Sequence, residues 1–218
     1  QDFEVDKSIK EMKSAMKKHV VMTVDGVKVD VQIDDVRVMQ QPIGSIYDSI
    51  VSEKNKDIQE ENLIVVDLGG GTLLVDTFKQ LNYDINSTVQ ENLGAFKLYK
   101  DIYHALNMQN RPSQHRIESI IREGSENNKY VYKLRKNKTE DITETVKPLI
   151  EQYTRDVISV IKHSVSGLND VDEFIFTGGG SNIIDRDMVE EAFENVSFTK
   201  HGDMSNVYGF LVAGKIKQ

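Results

Sequence analysis

The spacing of apolar positions changes period several times along this chain, and each change marks an element. Ile9, Met12 and Met16 recur at helical spacing within Lys7–His19, with lysines on the other face, so this stretch predicts a helix with the methionines as core filler. VVMTVDGVKVDVQI then alternates apolar and polar residues around Asp25-Gly26, a dipeptide suited to the left-handed backbone of a type I′ turn; it predicts a β-hairpin. RVMQQPIGSIYDSIV predicts a short strand ending at Met39, a break at Pro42, and a helix through Ile43, Ile46, Tyr47 and Ile50. Proline is tolerated near a helix start because the N–H it lacks has no partner there. The polar run SEKNKDIQEEN, 52–62, reads as a boundary loop.

Beyond it, LIVVD and TLLVDTF are two strands around Gly69–Gly71. LGAFKLYKDIYHAL, Leu93–Leu106, is amphipathic, with Phe96, Tyr99, Ile102, Tyr103 and Leu106 on one side. PSQHRIESIIREG predicts a short helix opening on Pro112 and closing at Gly124, and YVYKL a strand. A long helix is expected from Val146 to Val165, with Leu149, Ile150, Tyr153, Val157 and Ile161 buried and Gly167 as its C-terminal cap. Pro148 fits that helix only within its first turn. VDEFIFTGGGSNII is a strand running into a second glycine triplet and a helix starting near Ser181 or Asn182. This order of elements is that of an α/β fold.

Composition narrows the classes. The 218 residues, 39% hydrophobic and 28% charged, suit one or two soluble domains. No apolar run approaches the ~20 residues of a membrane span, and no basic-then-apolar export signal opens the chain. The absence of Cys excludes disulfides and thiolate metal sites and fits a reducing cytoplasm. A net charge of -8 argues against broad binding to a nucleic-acid backbone. The five histidines show no metal-ligand spacing and read as structural or surface residues. Lys129, Lys133, Arg135, Lys136 and Lys138 form a basic run around a strand, which reads as a solvated edge or, alternatively, a filament or adaptor contact. Gln1 in place of Met suggests a trimmed chain.

Glycines after a strand leave backbone N–H groups uncovered and form concave anion sites. The first triplet is not a P-loop, because no Gly-Lys-Ser/Thr follows and the chain continues as a strand. A dinucleotide fingerprint would open a helix, which Leu73-Leu74-Val75 opposes. Two readings remain: a tight hairpin without a ligand, or a hairpin tip that closes on phosphate. In the second, Asp67 at the end of the incoming strand could hold a water on Mg²⁺. The second triplet, Gly178–Gly180, joins a strand to a helix in a way that lets a flat ligand lie on bare backbone.

These motifs carry a resemblance. IVVDLGGGT resembles the second phosphate motif of the actin, DnaK-type chaperone and sugar-kinase superfamily, and FIFTGGGSNI resembles its adenosine motif. QQPIGSIYDS sits where that superfamily has its connecting helix. MSNVYGFLVAG and LGAFKLYKDI are similar to stretches of the plasmid-segregation actins of the ParM/StbA type. The resemblance implies an actin-like, ribonuclease H-like fold: a mixed sheet flanked by helices, with a small inserted subdomain. It implies ATP or ADP with Mg²⁺ as cofactors. Asp67 would hold a Mg²⁺-bound water, Gly69, Gly70, Gly71 and Thr72 the β- and γ-phosphates, and Gln41 the attacking water. Gly178, Gly179 and Gly180, with Ser181 nearby, would pack against adenosine. Arg122 and Glu123 match positions that touch base and ribose, or else are a solvated helix end.

The superfamily's first phosphate motif has no copy here, since the flanks of Asp25-Gly26 already explain it as a hairpin. Gln1 therefore reads as a start partway through the first large domain, with half of the cleft absent and negligible hydrolysis by these residues alone. The expected division is 1–61 as the remainder of that domain with the connecting helix, 62–106 and 142–205 as the second large subdomain, 107–141 as the inserted subdomain, and 206–218 as a helix returning to the first domain. The parent implied is a cytoplasmic bacterial actin-like ATPase that polymerises with itself and meets DNA only through a DNA-bound, ParR-like adaptor, with no membrane contact. A cell-shape actin or another phosphotransferase of the superfamily is the alternative.

Overall fold

A computed structural model describes residues 2–53, 58, 60–106, 112–125, 127–135 and 138–216. Much of the expected boundary loop, and Lys136 of the basic run, lie outside the described residues. The chain divides into two units, 1–40 and 41–218.

The first unit holds α1 (Asp2–Met16), β1 (His19–Val24) and β2 (Val27–Gln32), the two strands pairing antiparallel. Asp25 and Gly26 take φ of 50° and 80°, the left-handed pair that a type I′ turn requires. The strand expected to end at Met39 does not form: 33–40 carry no regular element. A few alternating residues become a strand only beside a partner. Met12 and Met16 are not core filler but about half exposed, because a helix and a two-stranded hairpin have little interior to offer.

The second unit runs α2 (Gln41–Glu53), β3 (Asn62–Leu68), β4 (Leu73–Lys79), β5 (Asn82–Tyr83), β6 (Val89–Glu91), α3 (Ala95–Ala105), α4 (Gln114–Ser125), β7 (Val131–Arg135), β8 (Lys138–Asp141), α5 (Thr143–Ser164), β9 (Glu173–Thr177), α6 (Arg186–Ala192), β10 (Val196–Phe198) and α7 (Ser205–Ile216). Its main sheet has the order β10-β9-β3-β4-β5, with β6 also on β4. β3 pairs antiparallel with β4 as the expected hairpin and parallel with β9, which is itself parallel to β10. β7 and β8 form a separate two-stranded hairpin; Lys133, Arg135 and Lys138 on it, and Lys129 just before it, are exposed.

Both faces of β3 are covered, which is why its sequence is an unbroken apolar run. Leu63 and Val65, with Phe78 and Ile175, pack against Ile46 of α2. Ile64, Val66 and Leu68 face the larger cluster built from α3, α4 and α5. In α3 the buried residues are Ala95, Leu98, Tyr99 and Ile102; Phe96, expected on the apolar side, is 61% exposed.

Three boundaries differ from the pattern. α5 starts at Thr143, so Pro148 lies beyond its first turn. Pro148 and Glu144 are both exposed, and the carbonyl that loses its partner can take water instead. Gly167 is left-handed (φ 78°), but α5 ends at Ser164 with Val165 as cap, and Gly167 opens a following 3-10 turn. The second triplet itself runs into a 3-10 turn, 179–182, with Gly178 as its cap, and α6 begins only at Arg186. Asp185 is the cap there, its Oδ1 accepting the Met188 N–H at 3.2 Å, whereas Ser181 Oγ donates to the Gly178 carbonyl at 2.7 Å.

α7 crosses α2 at backbone contact. A Cβ on Gly44 would lie 2.5 Å from the Asn206 carbonyl oxygen, and one on Gly209 would strike the Gly44 carbonyl. Gly209→Ala is therefore expected to destabilise the fold by about 1–3 kcal/mol, the usual range for overpacking. Gly214→Ala, on the same helix but facing open space, should stabilise by about 0.5–1 kcal/mol. Urea unfolding of both variants checks this; equal effects would mean that the crossing is not tight.

Candidate functional site

The parallel register places Asp67 opposite Thr177, so the loops following β3 and β9 leave the sheet at the same end. Open α/β sheets bind ligands at the carboxyl ends of their strands. The first loop is a closed hairpin tip, with the Gly69 N–H donating to the Thr72 carbonyl at 2.9 Å. Its other carbonyls are held by the start of α3. Ala95 N–H donates to Gly69 O at 3.0 Å, Phe96 N–H to Gly70 O at 2.8 Å, and Gly94 N–H to Gly71 O at 3.3 Å. In a planar trans peptide the following N–H points the opposite way, so the N–H groups of Gly70, Gly71 and Thr72 are turned away from α3. The hairpin thus shows donors on one side and buries its acceptors on the other.

The second loop rests on the end of β3. Gly178 has φ 81°, and a Cβ there would lie 2.5 Å from Asp67 Oδ1. A Cβ on Gly180 would come within 2.8 Å of Leu68. Only bare backbone fits.

A cavity of about 310 Å³ lies between the loops, lined by Gln41, Asp67, Gly69 and Gly70 on one side and Gly178, Gly179 and Gly180 on the other. Ala95, Phe96, Tyr99, Glu118, Arg122, Gly202, Asp203 and Asn206 complete the wall. Asp67 is 6% exposed. Its Oδ2 accepts from Gln41 Nε2 at 3.0 Å and from Asn206 Nδ2 at 3.4 Å. Burial pushes its pKa above the ordinary carboxylate value, while these two amides pull it down. Tyr99, buried and close to Glu118, has its pKa pushed up to about 12 and stays a neutral hydroxyl. Arg122 Nε donates to Glu118 Oε1 at 3.1 Å.

The structure thus gathers Gln41, Asp67, Gly69, Gly70, Arg122 and all of Gly178–Gly180 around one cavity. Gly71, Thr72 and Ser181 are not in its lining; Thr72 closes the hairpin tip and Ser181 braces the second loop. Glu123 is exposed, and the acid of α4 that lines the cavity is Glu118, one turn earlier. Its spacing from Arg122 is a readable sign of an ion pair on one helix face. Asn206 has no such local sign, because its partners lie 139 and 161 positions away.

A family model described as the Alp7A C-terminal domain matches residues 62–207. A comparison with curated proteins finds no match. Among solved structures, an archaeal actin homologue, Ta0583, superposes with a TM-score of 0.78 at 18% identity, over 97% of this chain and 66% of that one. ParM of Bacillus thuringiensis, solved with ATP, gives 0.75 at 18% identity, over 97% of this chain and 64% of that one. The Alp12 filament structure gives 0.69 at 18% identity, over 96% of this chain and 64% of that one. The fold is therefore actin-like, and the chain spans less than two thirds of the length of these relatives.

The raised pKa of Asp67 has a consequence for stability. The folded state keeps this proton to higher pH than the unfolded chain does, so the stability tied to it falls as pH rises from 3.8 through the raised folded value. Asp67→Asn should flatten that fall and leave the ligand-free protein more stable than wild type at pH 7. Urea midpoints across the acid range test this, and a less stable Asn variant at pH 7 would show that the ionised carboxylate is net favourable.

Proposed function

Because the chain belongs to the family of the Alp7A C-terminal domain, we propose that it is the nucleotide-binding part of a filament-forming, actin-like ATPase serving plasmid segregation. The observation that carries this reading is the convergence of both glycine loops, Asp67 and Gln41 on one cavity. A Bacillus ParM solved with ATP and an Alp12 solved as a filament support it. In this reading the outward N–H groups of Gly70, Gly71 and Thr72 take the β- and γ-phosphates, a task backbone donors perform without side-chain bulk. Gly178–Gly180 give adenosine a flat backbone wall, and Arg122 with Glu118 edges the ribose.

The donors present suit Mg²⁺. Among the described residues no group of three His, Cys, Asp or Glu side chains gathers into a metal cage. Mg²⁺ does not need one: it keeps several waters and takes one or two carboxylates plus phosphate oxygens. Asp67, beside the phosphate hairpin, is such a carboxylate. When bound, the ion neutralises charge on the phosphates.

Gln41 takes the remaining role. Its Nε2 donates to Asp67, which leaves Oε1 to accept a hydrogen bond from a water in the cavity. Attack on a phosphoryl group depends mainly on such positioning and on charge stabilisation. The partners follow the same reading: further copies of the protein in the filament, and a DNA-bound adaptor, since a net charge of -8 disfavours direct contact with DNA.

Calorimetry with ADP and MgCl₂ tests the site. Gly179→Val is the decisive variant, because its Cβ makes only ordinary contacts, with Arg122 at 3.4 Å and Asp203 at 3.7 Å. It should lower affinity at least about tenfold, ~1.4 kcal/mol. Gln41→Ala should leave ADP affinity in EDTA unchanged and, where filaments form, slow phosphate release by about 100-fold. Unchanged binding by Gly179→Val would place the nucleotide elsewhere.

A further inference from the structure

The helix that crosses α2 also reaches into the site, through a residue that the sequence motifs leave without a role. Asn206, on the first turn of α7, lines the cavity. Its Oδ1 accepts from the Ser45 backbone N–H at 3.1 Å and from Ser45 Oγ at 2.8 Å. A backbone N–H can only donate, so the amide atom facing it is the oxygen. The other amide atom, Nδ2, is thereby aimed at Asp67 Oδ2, 3.4 Å away. The same Oδ2 accepts from Gln41 Nε2. One carboxylate oxygen thus sits between two amide donors, one from each of the two crossing helices.

We propose that Asn206 is the positioning residue of this site: it fixes the rotamer of Asp67, and through Asp67 the amide of Gln41, in register with the α2–α7 crossing. The inference rests on the nucleotide reading above. Without Asn206 the Asp67 carboxylate keeps one amide donor and can turn about its last torsion, so it would no longer hold a hydrated cation at a fixed place. Partners behind a metal's own ligands usually contribute 10–100-fold to metal affinity. Ser45 supports the arrangement: with its one hydroxyl proton given to Asn206, its Oγ can accept from Thr177 Oγ1, 3.1 Å away on the strand that leads into the second glycine loop. Asn206 connects α2, the end of β3 and α7 at one point.

The test is ADP binding by the 218-residue chain, followed by calorimetry while Mg²⁺ is titrated. Asn206→Ala should raise the Mg²⁺ concentration for half-maximal effect about tenfold, with ADP affinity in EDTA unchanged. Ser45→Ala, which leaves Asn206 held by the backbone N–H alone, should raise it by a smaller factor. Ser205→Ala separates packing from positioning: Ser205 Oγ donates to the buried Asp48 at 2.7 Å, so the variant should lower the melting temperature without moving the Mg²⁺ midpoint. An unmoved midpoint in folded Asn206→Ala overturns the proposal. If that variant does not fold, an unmoved midpoint in Ser45→Ala overturns it instead. A wild-type chain that binds no ADP overturns the nucleotide reading and this inference together, whereas Mg²⁺-dependent binding indifferent to Asn206 overturns this inference alone.

Discussion

The parallel pairing of β3 with β9, in the register that sets Asp67 beside Thr177, is the constraint on which the site depends. Side chains on a strand alternate between faces, so a slip of one residue would turn Asp67 toward the apolar cluster of α3, α4 and α5 and bring Leu68 into the cavity. Burial prevents the slip. Leu63 and Val65 are fully enclosed on one face, and Ile64 and Val66 on the other. With both faces apolar and filled, a shifted strand would still bury hydrocarbon, but it would carry a carboxylate into the larger cluster without hydrogen-bond partners. That penalty, several kcal/mol for an unpaired buried charge, selects the register more sharply than the apolar contacts do.

A second constraint joins chain segments that are distant in sequence. The contact of α2 with α7 is possible only because neither helix has a side chain where the backbones meet, at Gly44 and Gly209. Such proximity brings Asn206 within reach of both Ser45 and Asp67, partners from two different elements. Buried Asp48 reinforces the same seam, accepting from Ser205 Oγ at 2.7 Å and pairing with His201 Nδ1 at 2.8 Å. Helices kept apart by side chains would need longer polar residues to bridge them, and longer side chains fix a carboxylate less rigidly.

Period and turn chemistry make the scaffold legible in the sequence. Strands LIVVD and TLLVDTF declare themselves because both faces are buried and their ends are glycine. The Asp25-Gly26 turn declares itself because few residues tolerate φ > 0 twice. What stayed hidden has a physical reason in each case. β8 is exposed along its whole length, so it carries no apolar signal. Pro148 misleads because an exposed helix face can hydrate the carbonyl it orphans. Phe96 fits the apolar stripe of α3 by period, yet its ring lies against Gly70, in the cavity rather than the core. Asn206 enters the cavity through tertiary contacts that no local pattern encodes, and the i, i+4 spacing of Glu118 and Arg122 gives their ion pair but not what it faces. The glycine loops are readable as bare-backbone loops because backbone chemistry is local; the side chains gathered around them are not.

The chemistry of the cavity follows from an imbalance at Asp67. Burial disfavours its charge, two amides favour it, and burial is the larger effect. The amide donors both address Oδ2, whereas Oδ1 lies against the backbone of Gly178. Any cation near Oδ1 would relieve the charge that burial leaves uncompensated, and the hairpin donors would hold an anion beside it. In the proposed reading, a ligand carrying both a cation and a phosphate would complete these electrostatics.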